Sequence, residues 1–238
     1  MDYKKLLLAL LVAVQLASCG KSELPNESAE VRDNYTAEQQ ITEDISTPEV
    51  LTSPLSSTVN YLEPLDDFSW EMTEKPEYVV LHFTSDVVAS RDNPYNLESV
   101  RKIFEDNSLS IHYIIDREGN IHSWLPETRV AWHAGKGEYL GVEKLTNAMN
   151  KYSIGIEMLA IGSASDMKQY LAESEYTVID KSLIGYTDAQ YESVKLLVKD
   201  ICDRNGIPFD KEHILGHDEY NPLKTDPGEL FDWSRLFE

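Results

Sequence analysis

Tyr78-Val79-Val80-Leu81-His82-Phe83-Thr84 is the stretch on which the fold turns. It is an unbroken run of β-branched, aliphatic and aromatic residues, the pattern of a buried strand. Ser153-Ile154-Gly155-Ile156-Glu157-Met158-Leu159 reads as a second strand, Ile111 to Ile115 and Ile121 to Leu125 as two more, and Ile214-Leu215 as a short last one. Arg117-Glu118-Gly119-Asn120 lies between the middle pair and predicts a hairpin turn. Asn96 is placed to cap a short amphipathic helix over Leu97 to Asp106, with Val100, Ile103 and Phe104 on one face. Thr187-Asp188-Ala189-Gln190 has the spacing of a capping box. It opens the longest helix, Asp188 to Asn205, whose stripe is Tyr191, Val194, Leu197, Val198 and Ile201 and whose end is marked by Gly206 and Pro208. Asp232 to Phe237 predicts a final helical turn. Strands and helices mix without strict alternation, so the expected class is α/β (mixed α+β), a central mixed β-sheet flanked by helices. Ala160 to Gly185 is the stretch least readable by pattern and is expected to be an insertion over one face.

Composition narrows the function classes. The chain has 238 residues, of which 42% are hydrophobic, so wholesale disorder is excluded. With 21 Lys+Arg against 42 Asp+Glu the net charge is −21, which argues against a nucleic-acid partner bound through its phosphates. No apolar run reaches the length of a membrane-spanning helix. Two cysteines exclude both a disulfide scaffold and a Cys₄ zinc site.

The N-terminus reads as an address. Lys4 and Lys5 precede an apolar core from Leu6 to Leu16, as in an export signal covering residues 1–18. Leu16-Ala17-Ser18-Cys19-Gly20 then resembles the lipobox of bacterial lipoproteins, in which the cysteine is acylated. Lipidation at Cys19 would anchor the protein to a membrane, and Gly20 in place of Asp favours the outer membrane, facing the periplasm. Cys202 would then lack a partner and is expected in the core of the long helix. Residues 19–70 carry Ser, Thr, Glu, Asn and Pro without sustained periodicity, with 11 acids against two bases from Lys21 to Trp70. They are expected to form an acidic, disordered tether, with residues 71–238 as the globular domain and the chain a monomer.

Six histidines occur. His82 ends a strand, His217 follows one, and Asp226 sits nine residues later in Lys224-Thr225-Asp226-Pro227-Gly228. Two imidazoles and a carboxylate suit catalytic zinc, which takes three protein ligands and keeps one position open. A hydrogen-bonded structural role for a strand-end histidine is the competing reading. Glu157, a carboxylate on an otherwise apolar strand, would be desolvated and raised in pKa, as a general base requires, unless a basic partner pairs with it. Lys224 is either a stabiliser of negative charge at the same place or a solvated loop lysine.

Seven ordered segments carry a resemblance. They are His82-Phe83-Thr84, Ser110 to Ile115, Ala131-Trp132-His133-Ala134-Gly135, Ser153 to Glu157, Tyr186 to Gln190, Gly216-His217-Asp218 and Lys224 to Gly228. Together they resemble the zinc-dependent N-acetylmuramoyl-L-alanine amidases, a family that takes in bacterial muropeptide amidases, their lipoprotein branch and the peptidoglycan-recognition proteins. The resemblance runs from about Tyr78 to Trp233. It implies a zinc site in a groove at the sheet edge, with one Zn²⁺ per chain held by His82, His217 and Asp226. It implies Glu157 as catalytic base and Lys224 as transition-state stabiliser, with His133, Trp132 and Tyr113 on the substrate side. His122 and His213 match no family site and are read as structural. Two departures border the expected cleft: Val130 stands where relatives often carry Arg, with Arg129 one residue earlier, and the loop from His217 to Lys224 is short.

The implied reaction is hydrolysis of the amide between N-acetylmuramic acid and L-Ala in peptidoglycan or muropeptides, in wall turnover or recycling. Two other readings stay open at this point. A non-catalytic peptidoglycan-binding lipoprotein would use the same fold, and a zinc endopeptidase cutting within the stem peptide would use the same site.

Overall fold

The computed structural model describes residues 59–61, as backbone, and 68–238. The expected export signal, Cys19 and most of the tether lie outside the described residues. Eight strands are present: β1 (Val59–Tyr61), β2 (Ser69–Glu71), β3 (Tyr78–Thr84), β4 (Tyr113–Ile115), β5 (Ile121–Ser123), β6 (Arg129–Ala131), β7 (Ser153–Leu159) and β8 (Ile214–Gly216). The α-helices among the described residues are α1 (Leu97–Asp106), α2 (Ala164–Met167), α3 (Glu173–Tyr176), α4 (Asp188–Asn205), α5 (His217–Tyr220) and α6 (Trp233–Phe237). Six strands form one mixed sheet in the order β1-β5-β4-β7-β3-β8, and β2 pairs with β6 in a separate antiparallel ribbon. Within the sheet only β4 and β5 run antiparallel. They are joined by the expected hairpin, where the Asp116 carboxylate accepts from the backbone N–H groups of Glu118 and Asn120.

β3 and β7 are the long interior strands, and every residue of β7 is buried. Their alternation divides the molecule into two layers. Val79 and Leu81 on β3, with Ile154, Ile156 and Met158 on β7, pack beneath Tyr191, Val194, Leu197, Val198 and Ile201 of α4. On the opposite face Val80 and Leu215 pack with Tyr139, Leu145, Met149 and Tyr220, while Ile114 and Leu159 meet Val100 and Phe104 of α1. His82 and Glu157 belong to this second face by strand parity.

The caps form as their chemistry dictates. Asn96 Oδ1 accepts from Ser99 N at 2.9 Å, and Thr187 and Gln190 exchange side-chain-to-backbone bonds of 3.1 and 3.0 Å. Gln190 does more than cap: its buried amide also donates to the carbonyls of Ile115 and Leu159, tying α4 to the ends of β4 and β7. Gly206 ends α4 in the left-handed region (φ 63°), where a side chain would be strained. Cys202 is buried in the α4 core as expected, and burial pushes its thiol up to about 12.

Two boundaries differ from the sequence expectation. The tether was expected to reach residue 70, but Val59–Tyr61 adds a parallel strand beside β5, and Ser69–Glu71 pairs with β6. These strands are three residues long and owe their form to distant partners, so they carry no periodic signal of their own. Between Ala160 and Gly185 the chain forms α2 and α3 around a small core of Ile161, Met167, Leu171 and Ile179, with Ile161 bridging to Ile184.

Candidate active site

The site is built at the C-terminal ends of three neighbouring parallel strands at one edge of the sheet. His82 lies near the end of β3, Glu157 near the end of β7, and His217 directly after β8. Asp226 arrives on the following loop, where Asp218 N donates to the Asp226 carbonyl at 3.0 Å.

His82, His217 and Asp226 meet. His82 Nδ1 lies 2.7 Å and His217 Nδ1 3.0 Å from the same oxygen, Asp226 Oδ2. The three ligand atoms all lie within 4.8 Å of one another. The far nitrogen of His217, Nε2, donates to the Ala134 carbonyl at 2.9 Å. A carbonyl only accepts, so the proton of neutral His217 is on Nε2, and its Nδ1 presents a bare lone pair to a carboxylate oxygen. Two acceptors facing each other at that distance repel unless a cation lies between them. This donor set fits a divalent metal, with each imidazole's remote nitrogen engaged elsewhere, His217 Nε2 by the Ala134 carbonyl and His82 Nε2 by His133 Nδ1. Burial is the largest influence on His82 and lowers it to about 4, despite the opposing pull of the Asp226 carboxylate. Burial alone would raise Asp226, but the neighbouring His217 and His82 outweigh it and hold the carboxyl well below its ordinary range.

Glu157 stands on the same face and is also buried. Its Oε2 has no hydrogen-bond partner among the described residues. Burial, then the negative charge of Asp226, raises its carboxyl well above the ordinary value, while Lys224 acts the other way. Lys224 is exposed on the loop before Asp226. Its ammonium is near enough to Glu157 and His82 to influence both.

Of the three residues expected on the substrate side, His133 and Tyr113 are placed differently. His133 does not line an open cleft: it is buried, and its Nδ1 lies 3.0 Å from His82 Nε2. Its ring occupies the space that a Cβ on Gly155 would need, with His133 Cγ 2.7 Å from that position. Tyr113 is on the wrong face. Ile114 is the register partner of Glu157, so Tyr113, one residue earlier, points to the α4 side, where it packs on that core and donates to Glu127 at 2.8 Å. Trp132 packs its ring against Trp70 of β2, with centroids 5.5 Å apart. His112 is structural, accepting from Gly155 N at 3.0 Å through Nδ1 and donating to the Arg129 carbonyl at 2.9 Å through Nε2. His122 bonds to Asp116 and His213 to Asp210, as structural histidines.

Sequence reading missed the residues that brace the site. Asn150 Oδ1 accepts from the backbone N–H groups of both His133 and Ala134. Buried Asp166, in the 160–185 segment, accepts from Glu229 N at 3.2 Å, and Thr225 Oγ1 donates to the Asp166 carbonyl at 3.3 Å, so this segment grips the loop that carries Asp226. Both residues reach the site through backbone groups far away in sequence; the Ser163-to-Asp166 capping box gives Asp166 a local role but does not announce its grip on the ligand loop.

A mixed sheet that brings two imidazoles, a carboxylate and a desolvated glutamate together at its strand ends offers the donor set a divalent metal would take, beside a carboxylate of the kind a hydrolase uses as a base. Residues 72–229 match the N-acetylmuramoyl-L-alanine amidase family (Amidase_2), and the chain belongs to that family. It is 32% identical over 129 residues to the 1,6-anhydro-N-acetylmuramyl-L-alanine amidase AmpD of Escherichia coli K12, covering 54% of this chain and 56% of AmpD. It is 30% identical over 167 residues to the N-acetylmuramoyl-L-alanine amidase AmiD of the same organism, covering 66% of this chain and 51% of AmiD. The chain thus spans little more than half the length of these relatives. The fold is also that of an AmpD crystal structure, at a TM-score of 0.51 and 24% identity over 76% of this chain and 93% of the other.

Proposed function

We propose that this protein is a zinc-dependent N-acetylmuramoyl-L-alanine amidase, hydrolysing the bond between N-acetylmuramic acid and the L-Ala of the stem peptide in cell-wall turnover or recycling. The observation that carries the proposal is the convergence of His82 Nδ1, His217 Nδ1 and Asp226 Oδ2 beside an unpartnered Glu157. Family membership and the names of the AmpD and AmiD relatives support the substrate class.

His82, His217 and Asp226 would hold the ion. Zinc in such a set supplies Lewis acidity, which acidifies water and polarises a carbonyl oxygen. Glu157 takes a proton from the attacking water: its carboxylate is desolvated, unpaired and raised in proton affinity, which strengthens it as a base. The same carboxyl then returns the proton to the departing amine of L-Ala. Lys224 offsets negative charge as it develops on the carbonyl oxygen, a contribution on the order of 3 kcal/mol for a well-placed donor. Burial of His82, His217 and Glu157 limits competing water around them.

The N-terminal sequence supports a lipid anchor on Cys19, an acidic tether and a catalytic domain facing the periplasm from the outer membrane. A monomer suffices for this arrangement. Loss of metabolic lipid labelling in Cys19→Ser, with the catalytic domain released from membranes, is the expected result for the anchor.

The test of the reaction is mass spectrometry of muropeptides and purified sacculi, anhydro-muropeptides included, after digestion with zinc-loaded and chelator-treated protein. Intact stem peptides beginning with L-Ala, released only by the zinc-loaded protein, are expected. Cleavage within the stem would identify an endopeptidase instead, and binding without products a non-catalytic receptor.

A further inference from the structure

The two histidines of the cluster are oriented by different devices. For His217 the Ala134 carbonyl sets the proton directly. For His82 the remote nitrogen faces another imidazole, which either accepts or donates, so nothing in that one contact decides where the His82 proton sits.

The decision is made two residues further back. Ser153 Oγ donates to the Met149 carbonyl at 2.8 Å, which uses the hydroxyl's only proton. The same oxygen lies 3.3 Å from His133 Nε2, so at this contact Ser153 accepts and His133 Nε2 carries the hydrogen. A neutral His133 is then bare at Nδ1, and at 3.0 Å this nitrogen accepts from His82 Nε2–H. His82 is left with its lone pair on Nδ1, aimed at Asp226 Oδ2 at 2.7 Å. Ser153 is fully buried, and His133 and His82 are buried with it, so water does not compete for these bonds.

We propose that Ser153 and His133 are positioning residues whose hydrogen bonds, running from the Met149 carbonyl to His82, hold His82 in the one tautomer able to ligate a metal through Nδ1. The proposal rests on the zinc reading above. Without the relay, a His82 protonated on Nδ1 would donate to Asp226 and close the site as a His–Asp hydrogen bond. The fold supports the assignment sterically: a Cβ on Gly155 would meet His133 Cγ at 2.7 Å and Nδ1 at 2.8 Å, so the strand lacks a side chain where the His133 ring must lie. His133 thereby acquires a role as a support behind the ligand.

The test is carried out on the full chain in two parts. In zinc-loaded, ¹⁵N-histidine-labelled protein, ring-nitrogen NMR is expected to show His133 protonated on Nε2 and bare on Nδ1; a proton on His133 Nδ1 would overturn the proposal. Zinc affinity is then measured by chelator competition for wild type, Ser153→Ala, His133→Leu and His133→Gln. Ser153→Ala and His133→Leu are expected to bind about tenfold or more weakly, the scale of lost support behind a ligand. His133→Gln, whose carbonyl still accepts from His82, is expected to recover most of the loss. Thermal unfolding screens out variants that fail to fold, and the wild-type tautomer stands as a test without them. Wild-type protein that binds no zinc contradicts the reading of the site. Wild type and both loss variants binding zinc equally tightly contradicts the relay alone.

Discussion

His82 and Glu157 are register partners across the β3–β7 ladder, side by side on one face of the sheet. Parallel pairing places the ligand-bearing imidazole and the unpaired carboxylate at neighbouring strand ends, so their separation is set by the hydrogen-bonded backbone. Loop flexibility does not enter into it. Glu157→Gln keeps the shape and removes the base. Turnover is expected to fall by about 10²–10⁴, while zinc affinity stays near wild type. Removing a buried carboxylate that lacks a partner also removes a desolvation cost, so the metal-free variant should unfold at a temperature no lower than wild type. A variant that loses zinc together with activity would place Glu157 among the ligands.

Gly155→Ala tests the packing behind the ligands. The new methyl would lie 2.5 Å from Ile111 Cδ1 and 2.7 Å from His133 Cγ, with β7 buried throughout. Destabilisation of about 1–3 kcal/mol is expected from overpacking, with weaker zinc binding as His133 is displaced from His82. Denaturant unfolding and chelator competition read the two effects separately, and unchanged values in both would contradict the close approach.

Asp166→Ala tests the grip of the 160–185 segment on the ligand loop. Its carboxylate accepts from Ser163 N at 2.8 Å as well as from Glu229 N. Leaving these donors without a partner is expected to cost about 1–3 kcal/mol, and the loop carrying Asp226 should hold zinc less tightly. Stability loss with unaltered zinc affinity would confine Asp166 to folding.

The Glu127–Arg204 pair makes stability depend on pH away from the site. Arg204 donates to both Glu127 oxygens at 2.7 Å, and Tyr113 and Asn205 donate to the same carboxylate. Burial alone would raise Glu127, but these partners outweigh it and hold its pKa below the ordinary value. The stabilisation is therefore present above the unfolded pKa, about 4.3, and is lost as pH falls through the lower folded value. Glu127→Gln should be less stable than wild type at neutral pH and converge with it in acid. A gap that persists unchanged at low pH would assign the effect to packing.

What was legible in the sequence follows from the range over which each feature is determined. The β3 and β7 runs and the α4 stripe with its capping box are local patterns, and the structure contains them at nearly the expected bounds. His82, His217 and Asp226 are legible as a set because each sits on a distinct motif, and the topology brings them together. The face of Tyr113 is not legible locally, because alternation shows only that it and Ile114 face opposite ways; register with β7 decides which of them faces Glu157. β1, β2 and β6 are three residues each and depend on distant pairing. Ser153, Asn150 and Asp166 act on the site through hydrogen bonds across 16 to 63 positions, which no local motif reports.

The central claim is that one zinc ion sits between two Nδ1 atoms and one carboxylate. Anomalous diffraction from crystals grown with zinc, recorded on both sides of the zinc absorption edge, tests it most directly. The expected result is a single strong peak bonded to His82 Nδ1, His217 Nδ1 and an oxygen of Asp226, beside Glu157. A peak on other residues, or ligation of either imidazole through Nε2, would contradict the account.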